Sequence, residues 1–217
     1  MDAQVWWAFF AASWVISISP GSAAVLSLGQ GLAYGVRHTS VTIAGMGLGL
    51  SLVLLVAGAG VGALLLASSL AFTVVKVLGA AYLMWLGWKQ WRSPVSADAV
   101  VDEVAQVPAV QNRLPNARER LTIGFLTNAT NPKGIVFMVA VLPQFIDPHR
   151  PLWLQLAILL VTSVLVEVTV MHGYAFLASR AQHWLSTAKA RRAQNRVFGG
   201  VLMSMGATLL MVKRAAG

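Results

Sequence analysis

Cysteine is absent from the 217 residues, which excludes disulfides and thiolate chemistry and leaves the redox compartment unread. Charge is scarce as well, at 11% of the chain, and acidic charge most of all, with seven Asp and Glu against sixteen Lys and Arg. No basic residue precedes Arg37, so the opening Met-Asp-Ala-Gln lacks the positive region of a cleavable signal peptide and the first helix is expected to remain. Neither Ser204 nor His172 is set in a protease motif, no metal-ligand or cofactor motif occurs, and an enzyme is not expected. What fills the chain instead is apolar: 57% hydrophobic residues with a mean hydropathy of +0.70. That is too apolar for an ordinary soluble domain.

Runs long enough to cross about 30 Å of hydrocarbon at about 1.5 Å per residue lie near 5–28, 39–66, 71–91, 121–146, 152–178 and 197–212. They predict an all-α integral membrane protein with six transmembrane helices in one transport domain, 1–217. Basic residues gather on one side of these spans: Arg37 after the first, Lys89 to Arg120 between the third and fourth, Arg180 to Arg196 between the fifth and sixth. By the positive-inside rule those loops are cytoplasmic and both termini extracytoplasmic. The formal charge of +9 therefore belongs to membrane topology, and nucleic acid is not an expected partner. Trp6, Trp7 and Trp153 fall at expected outer ends, and Trp88, Trp91 and Trp184 at inner ends, as in an interfacial belt facing lipid. Trp14 and Trp85 lie deeper and read as packing residues.

Two tripeptides interrupt the apolar runs, Ser19-Pro20-Gly21 and Asn131-Pro132-Lys133. The residue before proline is pushed out of the α region, while proline itself suits the first turn of a new helix after a Ser or Asn cap. Helices 1 and 4 are therefore expected to break at these prolines. Each restarted helix would present unpaired N–H groups and about half a positive charge, an anion site. Gly21 and Gly134 remove side chains beside the breaks. Simple kinks satisfied by neighbouring helices are the plain alternative.

The halves also match. Pro20 precedes Arg37 by 17 positions and Pro132 precedes Arg150 by 18, and Lys76-Val-Leu-Gly echoes Arg196-Val-Phe-Gly. Three helices per half make an inverted repeat, with repeat 1 at about 1–92, a Pro-containing cytoplasmic linker at about 93–120 and repeat 2 at about 121–217. Broken helices at matching positions of inverted halves mark a binding site near the midplane. The segment 180–196, basic with Trp184 and Leu185, suits either a helix on anionic headgroups or a plain loop. Gly45, Gly47, Gly49, Gly58, Gly60 and Gly62 in span 2 predict close packing within the bundle and also allow a homo-oligomer.

Charge inside a span costs about 2.5 to 3.5 kcal/mol at the bilayer centre, so Glu167 and Lys133 should face the interior with partners. They either pair with each other or act on a ligand, Glu167 on an ammonium or proton and Lys133 on a carboxylate. His172, five residues on, is a further candidate for proton transfer.

These residues resemble the lysine exporter superfamily, and within it the homoserine/threonine resistance branch, of bacterial inner-membrane amino-acid exporters. The likeness rests on Ser19-Pro20-Gly21, Gly35-Val36-Arg37, Lys76-x-x-Gly79-Ala80-x-Tyr82-Leu83-x-x-Leu86-Gly87, Gly124-Phe125-Leu126-x-Asn128, Asn131-Pro132-Lys133 and Pro143-Gln144-Phe145. It implies export of an amino acid or close derivative with proton exchange. This chain departs from the family at Ser22 and Ala23, where Pro and then Asn or Asp are common, and at Thr39, where Gly is usual. The expected substrate site comprises Ser19, Pro20, Gly21, Ser22, Asn128, Asn131, Pro132 and Lys133, with Glu167 and His172 for the ammonium or proton. A channel, an exporter of another small solute, or a scaffold without transport is the alternative on the same fold.

Overall fold

The structure, a computed structural model, describes residues 1–19, 21–67, 69–92, 114–147, 149–180, 196, 200, 203, 204 and 207. Pro20, most of the linker, the basic segment with Trp184 and most of the sixth run lie outside the described residues. Among those described there are six α-helices and no strand: α1 (Ala3–Ile18), α2 (Ser22–Ala67), α3 (Ser69–Trp91), α4 (Ala117–Ala129), α5 (Pro132–Val141) and α6 (Leu152–Arg180), with a 3-10 turn at Leu142–Phe145. Among the described residues, two stretches are long and apolar enough to cross a membrane, Ser22–Gly60 and Leu152–Arg180.

Helix α2 is in substance two helices. Gly35, at φ 74° and ψ 168°, is its one non-helical residue, a conformation open to glycine and strained for side chains. The chain turns back there. Ser27 Oγ donates to Met46 Sδ at 3.8 Å and Thr42 Oγ1 bonds Gln30 Oε1, so one position rises as its partner falls and the two arms run antiparallel. The gap between the first two expected runs, from 28 to 39, is thus helical on both sides of a single residue. Ser27, Gln30 and Thr39 are buried between the arms.

Glycines set the closest approaches. A methyl on Gly45 or Gly124 would run into the backbone carbonyl of Leu121 or Thr42, and one on Gly49 would lie 2.5 Å from the Phe125 carbonyl. Positions 45 and 49 meet 121 and 125, so the second arm of α2 and α4 lie parallel with backbones nearly touching. In an interior this dense, added methylenes cost about 1 to 3 kcal/mol each. Helix α4 starts on a reciprocal cap: Asn116 Oδ1 accepts from the Glu119 amide and Glu119 Oε2 from the Asn116 amide, both at 2.9 Å.

Polar side chains are buried within the hydrophobic core, and large apolar ones are exposed on its outside. Ser13, Ser27, Gln30, Thr39, Asn128, Gln155, Ser163 and Glu167 are buried, while Leu48, Leu52, Leu55, Val56, Val161 and Leu165 are 44–64% exposed. A surface of that kind suits hydrocarbon as its solvent, and the buried polar groups line the interior. Trp7, Trp153, Trp88 and Trp91 face outward near helix ends. Trp85 is also exposed, at 54%, with Lys89 Nζ 5.3 Å from its ring centre. The expectation that it packs inside is corrected, because it falls on the outer stripe of α3.

The helices tie at both ends. Arg150 bonds Asp2 at 2.7 Å and Asp147 at 3.1 Å at one end. At the other, Arg120 Nη1 donates to the His38 carbonyl at 2.7 Å, joining the turn after Gly35 to the start of α4. Helix α1 runs along α6 in the same direction, with Trp6 Nε1 donating to Thr162 Oγ1 at 3.1 Å and Tyr174 Oη to the Ile18 carbonyl at 2.5 Å.

Candidate functional site

Helix α1 stops because Ser19, preceding a proline, takes extended angles of φ −60° and ψ 124°. Its last carbonyls lose their intrahelical partners. Three side-chain bonds from distant elements answer them: Lys133 Nζ donates to the Ile16 carbonyl at 3.0 Å and the Ser19 carbonyl at 2.6 Å, and Tyr174 takes Ile18. A cation at a helix C-terminus also meets the negative end of the helix dipole. Gly21 makes room for it, since a methyl there would sit 3.1 Å from Lys133 Nζ.

The second interruption is closed by its own residues. The Thr130 amide donates to the Leu126 carbonyl at 3.0 Å and the Asn131 amide to the Asn128 carbonyl at 3.1 Å. Asn131, extended at φ −69° and ψ 109°, caps α5 by accepting from the Lys133 amide at 3.1 Å. Pro132, the first helical residue, has no amide hydrogen to satisfy.

Between these two places is a cavity of about 40 Å³. Ser19, Asn128, Asn131, Lys133 and Glu167 all line it, brought together from α6, from the end of α1 and from both sides of the second interruption. Asn128 Nδ2 donates to Glu167 Oε1 at 2.7 Å and to the Met46 carbonyl at 2.9 Å. Both partners are acceptors, so the amide nitrogen must be the atom facing them. Glu167 is buried and Lys133 faces the same space, yet no direct ion pair joins them. Lys133 spends two of its three ammonium donors on carbonyls and keeps one.

Other expected site residues sit apart from this cluster. Ser22 and Pro132 are exposed at the starts of α2 and α5, and Ala23 and Ala24 line the cavity instead. His172 is half-buried away from it, with Nε2 3.0 Å from Ser40 Oγ and Nδ1 2.7 Å from the Val168 carbonyl. Sequence reasoning missed Ser13, Ser17 and Ser163, which line the cavity too. A signal was present: Ser163, Glu167 and Met171 recur every four residues, one stripe of a helix. Among the described residues no group of His, Asp and Glu could hold a metal.

The chain matches the family model described as LysE type translocator over residues 14–213. It is 37% identical to a homoserine/homoserine lactone efflux protein of Salmonella typhi, over 99% of this chain and all of that one. It is also similar to an uncharacterized membrane protein of Vibrio cholerae, at 39% over 98% of this chain and all of that one. A leucine efflux protein of Klebsiella pneumoniae is 28% identical over 89% of each chain. No solved structure matches. With buried polar residues inside an apolar exterior and residues 14–213 of 217 matched to the family's model, the chain is a membrane protein that belongs to the LysE type translocators.

Proposed function

We propose that the protein is a secondary transporter that exports an amino acid or close derivative from the bacterial cytoplasm by alternating access, in exchange for protons. The observation that carries this reading is the single cavity on which Ser19, Asn128, Asn131, Lys133 and Glu167 converge. Its opposite charges, held apart rather than paired, suit the two ends of a zwitterion. The efflux proteins among its relatives support amino acids as the substrate class. Both interruptions are read as breaks within membrane spans 1 and 4 of an inverted repeat, with both termini outside.

In this mechanism the substrate carboxylate takes the remaining Lys133 proton and the first-turn Gly134 amide of α5. Pro132 offers no amide and the Lys133 amide is already capped, so Gly134 is the donor left nearest the cavity. The ammonium takes Glu167, whose second oxygen is not engaged by Asn128. Exchange of a proton for the ammonium on Glu167 couples efflux to the pH gradient. A cavity of about 40 Å³ is smaller than an amino acid, so it must widen to admit substrate. Rocking of one half against the other has a handle in Lys133, which holds the α1 carbonyls with two donors and the substrate carboxylate with the third, so that substrate binding bears on the placement of α1.

Proteoliposomes loaded with labelled homoserine or leucine test this. Saturable efflux that accelerates with an imposed inward proton gradient is expected; a non-saturable leak would make the protein a channel. Glu167→Gln should retain exchange of internal for external substrate and lose its response to the gradient, and an intact response would remove Glu167 from coupling. Lys133→Ala should weaken transport of the free amino acid more than of its methyl ester; equal weakening would reduce Lys133 to a structural tie.

A further inference from the structure

Several serines and threonines on or at the ends of these helices return their hydroxyl proton to the carbonyl four residues back. Thr39, Ser40, Ser51, Thr130, Thr162 and Thr169 all do so, at 2.7 to 3.0 Å. Ser13 in α1 and Ser163 in α6 do not. Each is only 3% exposed, its Oγ has no hydrogen-bond partner in the protein, and each lines the cavity. Gln30 Nε2 and Arg120 Nε share the lack of a partner but lie elsewhere. Leaving a buried hydroxyl unbonded costs about 1 to 3 kcal/mol, and an i−4 carbonyl bond is the ordinary remedy on a helix. Two serines that forgo it on the wall of one cavity are poised for a ligand.

The other lining residues say which part of the ligand. Lys133 and Gly134 serve the carboxylate and Glu167 the ammonium in the transport reading above, on which this inference rests. The rest of the wall is mixed: Ile16, Leu50, Phe137 and Met138 are apolar, Ser17, Ser19, Asn128 and Asn131 are polar, and the two unpartnered hydroxyls are set among them. Such a wall fits a short aliphatic side chain ending in a polar group. Ser163 lies four residues before Glu167, a rise of about 6 Å along α6. An extended two-carbon side chain with a terminal hydroxyl covers that separation once a hydrogen bond is made at each end.

We infer that Ser13 and Ser163 are specificity-determining residues that hydrogen-bond a hydroxyl on the side chain of the exported amino acid, selecting short hydroxyl-bearing substrates over apolar ones of the same size. A wall that bonds a substrate hydroxyl disfavours the analogue without it, because its own polar groups are then left unpaired.

The test compares homoserine with norvaline, which carries a methyl in place of the hydroxyl, as competing substrates in proteoliposomes of the full chain. The wild-type protein should prefer homoserine. Ser163→Ala and Ser13→Ala should each lower the homoserine-to-norvaline flux ratio about tenfold, and the double variant should nearly abolish the preference. A variant that merely folds poorly lowers both fluxes together and leaves the ratio alone, so the ratio isolates recognition. A ratio unchanged in the single and double variants would overturn the inference while leaving amino-acid export standing. A wild-type protein that moves neither probe nor any other amino acid would overturn the export reading and this inference with it.

Discussion

The two places where helices stop, 19–21 and 130–132, are built from similar residues and held in opposite ways. At the second, Asn131 caps α5 from within, and the amides of Thr130 and Asn131 bond back to Leu126 and Asn128. It is complete in itself. At the first, the carbonyls of Ile16, Ile18 and Ser19 depend on Lys133 and Tyr174, which are more than 110 residues away in sequence. One interruption is a local structure and the other a contact between halves of the molecule. Motion of one half against the other would leave the second intact and unmake the first, so the first is where a conformational change can be registered.

Substitutions can sharpen or erase that contrast. Lys133→Met should have the largest effect, since it removes two charge-assisted bonds to the end of α1, each worth about 1.5 to 3 kcal/mol. A fall of several degrees in thermal midpoint in detergent, together with loss of transport, is expected. Tyr174→Phe deletes one bond to the Ile18 carbonyl and should cost about 1 kcal/mol, with exchange of the α1 end-segment amides quickening in hydrogen-exchange mass spectrometry. Asn131→Ala removes a cap worth about 1 kcal/mol, and faster exchange should stay confined to the first turn of α5. If it spread to α1, the second interruption would not be self-sufficient. Arg150→Ala should do least, under about 1 kcal/mol, because its bonds to Asp2 and Asp147 are solvent-exposed.

What the sequence could say about these regions divides along the same line. The helix start that arises from Asn131 before Pro132 was legible, whereas the equally local cap of Asn116 on Glu119 went unread inside a linker expected to run to about 120. The inward position of Glu167 was legible too, because an isolated carboxylate in an apolar run has few other places to go. The donors to the α1 carbonyls were not legible, since nothing local to Ser19 names Lys133 or Tyr174. Gly35 was noticed for its place in a motif, yet a sharp turn made by one residue leaves no polar loop to mark it. Trp85 was misplaced because depth along a helix is readable from sequence position, whereas which stripe faces lipid depends on the neighbours. Ser13 and Ser163 look like any helical serine until their missing i−4 bonds are seen.

Because the chain has no cysteine, one introduced thiol reports on one place. The most direct measurement puts it at Ser17, on the cavity wall between Ser13 and the first interruption, and follows labelling of Ser17→Cys by a small water-soluble thiol reagent in proteoliposomes. The account predicts slow labelling that saturating homoserine or another transported amino acid suppresses, with Glu167→Gln shifting the substrate concentration required. Labelling that is indifferent to every amino acid tested would contradict a substrate site at this cavity.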